Sequence, residues 1–174
     1  PVTLEKKFLN FQIKNFLLAI EKSNFQCVFT YPNSDMGYDL ILKKIKKFVK
    51  NNSKKYILLK KLNINNYANL LKHCDLVIGN SSMGIVDTAG FKKPVVNIGN
   101  RQKGKIQPKN IINSSLHFKE ILKCINYSQS GIFKKQLLNL KNPYSPRVYN
   151  LSKFLYSLIV SKKNNLNIKK FIDK

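Results

Sequence analysis

Along this chain the apolar residues switch period repeatedly, from strand-like to helical and back, and few folds accommodate that alternation. It is the pattern of βα units wound around a parallel sheet, an α/β architecture of Rossmann-like kind with helices flanking the strands. Residues 3–22 read as a helix with Leu4, Phe8, Phe11 and Leu18 on one side, and a short strand follows at 26–31, broken by Pro32 and Asn33. The clearest amphipathic helix comes next: Tyr38, Ile41, Leu42, Ile45, Phe48 and Val49 form one stripe, while Lys43, Lys44, Lys46, Lys47 and Lys50 point elsewhere. Strands are expected at 56–59, 76–78, 94–98 and 110–113, and helices at 65–74, 82–89, 116–127, 130–140 and 146–160. Gly90 suits the left-handed position after a helix end. With 174 residues, one domain with a real hydrophobic core fits, since roughly 70% of the unfolded surface is buried at this size. The expected organisation is a single domain over 1–160 and a polar, flexible tail over 161–174. The chain opens on Pro1 within the lead-in to a helix, so it is expected to be a piece of something longer.

The formal charge of +24 invites a nucleic-acid or membrane-surface reading, but the kind of base argues against both. Thirty of the 32 basic residues are Lys and only Arg101 and Arg147 are Arg, although the planar guanidinium is the preferred reader of phosphates and bases. The lysines are assigned to solvated faces, and with 22 Asn the composition fits a biased genome. Neither nucleic acid nor membrane is an expected partner. Cys27, Cys74 and Cys124 are odd in number and widely spaced, and His73 and His117 stand apart; no disulfide frame, metal or cofactor is expected. No apolar run reaches the roughly 18 residues needed to span a bilayer, and the expected location is the cytoplasm.

In an open parallel sheet, ligands bind beyond the carboxyl ends of the strands, where free backbone N–H groups favour anions. The most informative junction is Leu76 to Asn80 followed by Ser81, Ser82, Met83 and Gly84, a strand, a tight turn and a helix start carrying two hydroxyls and small residues. A diphosphate meets those requirements; an ordinary serine cap is the alternative. Asp87, five residues after Ser82, sits on the same short helix. A carboxylate beside a phosphate site is costly unless it has another task, for which paired ribose hydroxyls are suitable. Arg101 supplies the complementary charge after the next strand. Acid–base chemistry is not apparent: the nearest carboxylate pair, Asp35 and Asp39, opens a helix and is accounted for by its dipole. The chain looks equipped to bind and not to react.

Three segments carry a resemblance. The run Ile78-Gly-Asn-Ser-Ser-Met-Gly-Ile-Val-Asp87, the run Gly90-Phe-Lys-Lys-Pro-Val-Val-Asn-Ile-Gly-Asn-Arg-Gln-Lys-Gly-Lys105 with Asn110-Ile-Ile after it, and the opening Pro1-Val-Thr with Tyr31-Pro-Asn-Ser-Asp-Met-Gly are similar to the C-terminal domain of hydrolysing UDP-N-acetylglucosamine 2-epimerases. The resemblance covers residues 1–160. It implies the C-terminal half of a two-domain enzyme of GT-B type, with a UDP-sugar as substrate and a homo-oligomer at full length. It further implies that Asn33 and the backbone near Leu62 lie by the uracil, that Ser81 and Ser82 bind diphosphate, that Asp87 holds ribose hydroxyls, and that Arg101 completes the site. The family reaction eliminates UDP through a 2-acetamidoglucal and adds water to give N-acetylmannosamine, for sialic or related nonulosonic acid synthesis. Its acid and base carboxylates belong to the N-terminal domain, so this segment is expected to be inactive by itself, with no catalytic residue of its own. Where the family has Glu and Arg, this chain has Asp87 and Lys105, and the turn at Asn142-Pro-Tyr-Ser is shortened. Two other readings stay open on sequence: a GT-B glycosyltransferase using a UDP-sugar donor, and a basic nucleic-acid-binding module.

Overall fold

The computed structural model describes residues 8–145, together with Tyr156 and Val160 as isolated helical positions. The chain divides into two compact units, Pro1–Pro143 and Tyr144–Lys174. The expected helix over 146–160 lies outside the described residues save for those two positions, and the expected tail over 161–174 lies outside them altogether.

Within the first unit the elements run α1 (Leu9–Ser23), β1 (Cys27–Thr30), α2 (Tyr38–Asn51), β2 (Tyr56–Leu59), α3 (Ile64–His73), β3 (Val77–Gly79), α4 (Ser82–Val86), β4 (Val95–Ile98), β5 (Ile111–Ser114), α5 (Phe118–Ser128) and α6 (Gly131–Leu138). This is the alternation that the apolar period announces. All strand pairs are parallel, with Cys27 opposite Tyr56, Val77 opposite Val95 and Val95 opposite Ile111. The strands form two sheets, β1–β2 and β3–β4–β5, where one continuous sheet is the simpler expectation. β3 is only three residues long and ends at Gly79, whose φ of +154° lies outside the range favoured by residues with a side chain.

Two apolar clusters fill the unit, and α1 serves both. Leu9, Ile13, Leu17 and Ile20 pack with Phe29 of β1, Ile41 and Ile45 of α2, and Tyr56 of β2. Ala19 packs with Val96 and Ile98 of β4 and with Ile121 and Ile125 of α5. Phe16 and Ile78 touch both clusters. The first cluster has an aromatic centre, in which Phe48 stacks on Tyr56 at 4.7 Å and Phe29 meets both edge-on.

The buried face of α1 differs from the stripe expected on sequence. Phe8 and Phe11 are exposed, and the core takes Leu9, Ile13, Leu17 and Ile20 instead. Spacings of four, four and three residues keep these on one side of the helix, and they are the branched aliphatics that pack against β1, α2 and β2. Phe11 instead meets the His117 ring edge-on at 5.2 Å. On α2 the expected stripe is the observed one, with Ile41, Leu42 and Ile45 buried and Phe48 and Val49 packed on the core.

A second correction concerns the end of α4. The helix stops at Val86, and Gly90 has no positive φ; Lys92, at φ +52°, takes the left-handed position. The backbone continues through successive turns after Asp87, with Lys92 N–H donating to Ala89 and Lys93 N–H to Thr88, so the reversal comes two residues later than the glycine. Asn110, fully buried, locks that reversal: its amide donates to Thr88 Oγ1 at 3.0 Å and to the Lys93 carbonyl at 2.7 Å.

Candidate functional site

Parallel strands deliver their loops to one edge, and four of those loops carry the residues singled out on sequence. β1 leads to Asn33 and Asp35, β2 to Leu62 and Asn63, β3 to Asn80 and Ser81, and β4 to Arg101 and Gln102. A cleft of about 1160 Å³ is lined by Asn33, Asp35, Leu62, Asn80, Ser81 and Arg101 at this edge. It continues along the sheets, past Val28 and Ile57. Strand alternation aims Phe29 and Tyr56 into the core and leaves Val28 at 41% and Ile57 at 54% exposure on the cleft side.

Arg101 is held from two directions. Nη2 donates to Asp35 Oδ2 at 3.1 Å, and Nη1 reaches the Asn80 carbonyl at 3.4 Å. The same carbonyl accepts from Gln102 Nε2 at 2.7 Å, so the turn after β3 is tied to the loop after β4. Gln102 is 2% exposed and its Oε1 has no hydrogen-bond partner. The ion pair corrects the helix-dipole account of Asp35: this residue lies ahead of α2, and only Asp39 occupies the first turn. Asp35 is therefore the chain's own anion on the guanidinium, partly open to solvent.

Ser81 is the N-cap residue of α4, yet its hydroxyl accepts no capping hydrogen bond. By contrast, Asn63 caps α3 through Oδ1 at 2.8 Å from Asn66 N–H, and Ser130 caps α6. The serine-cap alternative is thus not the observed use of Ser81. Ser82 is exposed as the first residue of α4. Neither Ser82 nor Asp87 belongs to the lining of the cleft, whereas Asn33, Leu62, Ser81 and Arg101 do.

Asp87 lies just past α4, and its Oδ2 accepts from the Tyr67 hydroxyl at 3.1 Å. Tyr67, on the first turn of α3, lines the cleft. Burial, then the Asp87 charge and hydrogen bond, push its phenol well above the usual tyrosine range, so it is a proton donor to Asp87 throughout neutral pH. Tyr67, Asp35 and Gln102 also stand at this edge, and none is singled out as a site residue on sequence. The adjacency of Gln102 to Arg101 and the Asn-Ser-Asp turn were available signals; nothing local in α3 marks Tyr67.

Of the thiols, Cys27 and Cys74 line the cleft, and Cys27 is pushed up to about 11 by burial, against a smaller opposing effect of Lys55. Among the described residues, no three His, Cys, Asp or Glu side chains gather as a metal site, and no helix is long and apolar enough to cross a membrane.

Both the sequence and the fold have relatives among known proteins. A family profile described as UDP-N-acetylglucosamine 2-epimerase matches residues 1–146. The Polysialic acid biosynthesis protein P7 of Escherichia coli is 31% identical over 99% of this chain and 44% of its own length. The hydrolysing GDP/UDP-N,N'-diacetylbacillosamine 2-epimerase of Campylobacter jejuni is 36% identical over 67% of this chain and 31% of its own. The crystal structure of UDP-GlcNAc 2-epimerase from Neisseria meningitidis bound to UDP-GlcNAc superposes with a TM-score of 0.59 at 13% identity, over 88% of this chain and 41% of that one. The chain thus spans less than half the length of the relatives it matches.

Proposed function

The chain belongs to the UDP-N-acetylglucosamine 2-epimerase family, and from that premise we propose that it is the nucleotide-binding half of a hydrolysing 2-epimerase. The substrate in this reading is UDP-N-acetylglucosamine or a close diacetamido sugar nucleotide. Asn33 and the Leu62 backbone take the base, Ser81 and Ser82 the diphosphate, Asp87 the ribose, and Arg101 the charge of the leaving UDP. The observation that carries the proposal is the meeting of Ser81 and Arg101 on one cleft at the strand ends. One offers a hydroxyl not spent on capping and the other a guanidinium in a chain with only two arginines. Hydrogen bonds from such groups to a phosphate are charge-assisted and short.

The chemistry follows from what the groups can and cannot do. Breaking the anomeric C–O bond releases UDP with an added negative charge on its terminal phosphate, and a fixed guanidinium lowers the energy of that charge as it develops. Removing the C2 proton as UDP leaves, then adding water across the resulting double bond, with its hydroxyl to C1 and a proton to the opposite face of C2, calls for carboxylates as base and acid. These belong to the remaining half of the enzyme, so the chain binds UDP and turns over nothing on its own. Homo-oligomers, a cytoplasmic setting and sialic or related nonulosonic acid synthesis belong to the same reading.

Titration calorimetry with UDP tests the binding half of the proposal: Ser82→Ala combined with Arg101→Ala must reduce the affinity measured for the unaltered chain, and equal heats refute the site. Incubating the full-length parent with UDP-N-acetylglucosamine and no acceptor tests the reaction. Release of N-acetylmannosamine supports epimerisation, while strict dependence on an acceptor identifies a glycosyltransferase.

A further inference from the structure

We propose that the Tyr67 hydroxyl, held in place by Asp87, is the group in this chain that meets the ribose hydroxyls of a bound uridine nucleotide. The inference rests on the nucleotide reading above and alters it at one point: it moves the contact from the carboxylate to the phenol in front of it.

Three observations carry it. Asp87 does not line the cleft, whereas Tyr67 does. The Tyr67 hydroxyl already donates its proton to Asp87 Oδ2 at 3.1 Å, so the phenol oxygen keeps its lone pairs for an incoming donor. A ribose hydroxyl is such a donor, and the resulting chain runs from ribose to Tyr67 to Asp87, each link polarising the next. The position also fits the order of the ligand. Tyr67 stands on the first turn of α3, just after Asn63, the cap residue beside Leu62, and its partner Asp87 follows the helix that Ser81 precedes. It shares the cleft lining with both Leu62, of the loop assigned to the base, and Ser81, of the turn assigned to the diphosphate.

A purely structural tie between α3 and α4 is the competing account, and it makes a different forecast. Titration calorimetry of the chain with UDP, 2′,3′-dideoxyuridine diphosphate and inorganic pyrophosphate separates them. The unaltered chain should bind UDP about 3- to 10-fold more tightly than the dideoxy analogue, the range of one ordinary hydrogen bond. Tyr67→Phe should close that gap to within about 2-fold, a change smaller than one such bond, and leave pyrophosphate binding unchanged. Asp87→Asn, which keeps side-chain volume, should narrow the gap as well and guards against a folding defect in the first variant. If the unaltered chain does not distinguish UDP from the dideoxy analogue, or if both variants weaken all three ligands alike and preserve the ratio, the inference is overturned. Arg101→Ala tells the two levels apart: if it weakens UDP and pyrophosphate while no ribose discrimination exists, only the Tyr67 assignment falls. If it changes neither, the nucleotide site falls and Tyr67 with it.

Discussion

Replacing Asp35 with Asn should strengthen binding of UDP, because the carboxylate occupies the guanidinium that the diphosphate needs. The contact is a single one, Nη2 to Oδ2 at 3.1 Å, between side chains 26% and 37% exposed. At that exposure the Coulomb gain is largely offset by desolvation and screening, and such a pair is worth about 0.2–1 kcal/mol. Displacing it costs a ligand the same amount, so removing it should improve the dissociation constant by about 1.5- to 5-fold at 25 °C. Asn keeps the shape and an oxygen for Arg101, so the guanidinium stays in place. Arg101→Ala should act in the opposite direction and more strongly, since a hydrogen bond to a charged group contributes about 1.5–3 kcal/mol, roughly a 10- to 150-fold loss. The assay is calorimetry with UDP at low and high salt. The Asp35→Asn gain should shrink at high salt, where the screening length falls to about 3 Å at 1 M. A loss of affinity in Asp35→Asn matching that in Arg101→Ala would refute the reasoning, because it would make the ion pair a scaffold that the ligand requires intact.

Gly37 begins α2 at φ +90°, and a Cβ there would collide with Leu9 Cδ2 in the core, whereas Gly104 has a similar φ of +88° and open space around it. Gly37→Ala should therefore cost about 2–4 kcal/mol, combining the left-handed penalty with overpacking, against about 1–2 kcal/mol for Gly104→Ala; equal urea midpoints for the two variants would contradict this. The Cys27 thiol, raised by burial to about 11 in the folded chain, sets a second expectation. Below about pH 8.5, the ordinary thiol value, neither state is ionised and the contribution is fully present. As pH rises toward 11, the unfolded chain loses the proton first, so stability falls. The drop in melting temperature between pH 8 and 10.5 should be smaller in Cys27→Ala, and an unchanged drop would exclude the thiol as its source.

The fold is legible wherever local signals agree with packing. The α2 stripe, the β2 strand from Tyr56 to Leu59 and the strand–turn–helix at Val77 to Ser82 are each visible in a few residues, because burial period, turn residues and length point the same way. α1 is legible as a helix but not in its orientation: it has apolar residues on several sides, and only the positions of β1, α2 and β2 decide that Leu9 and Ile13 face inward while Phe11 does not. Gly90 misleads because a glycine near a helix end is a strong local cue, while the reversal at Lys92 is imposed by long-range bonds from Asn110. At the site, Ser81 and Arg101 can be named from spacing along one strand-loop unit each. The contacts of Tyr67 with Asp87, 20 residues apart, and of Asp35 with Arg101, 66 apart, join different loops, and a single sequence does not record which loops meet.

The division of the strands into two sheets has a mechanical consequence. Asn33 and Leu62 ride on the β1–β2 ladder, Ser81 and Arg101 on the β3–β4–β5 ladder, and among the described residues no backbone ladder joins the two. Side chains such as Phe16 and Ile78, and the Asp35–Arg101 contact, bridge the seam instead. Side-chain bridges yield more readily than a ladder of amides, so a rod-shaped guest gripped at both ends would act as a further crosspiece beside α1, which already packs on both. Grip and stiffness would then rise together, and the width of the gap would act as a gauge for the guest's length.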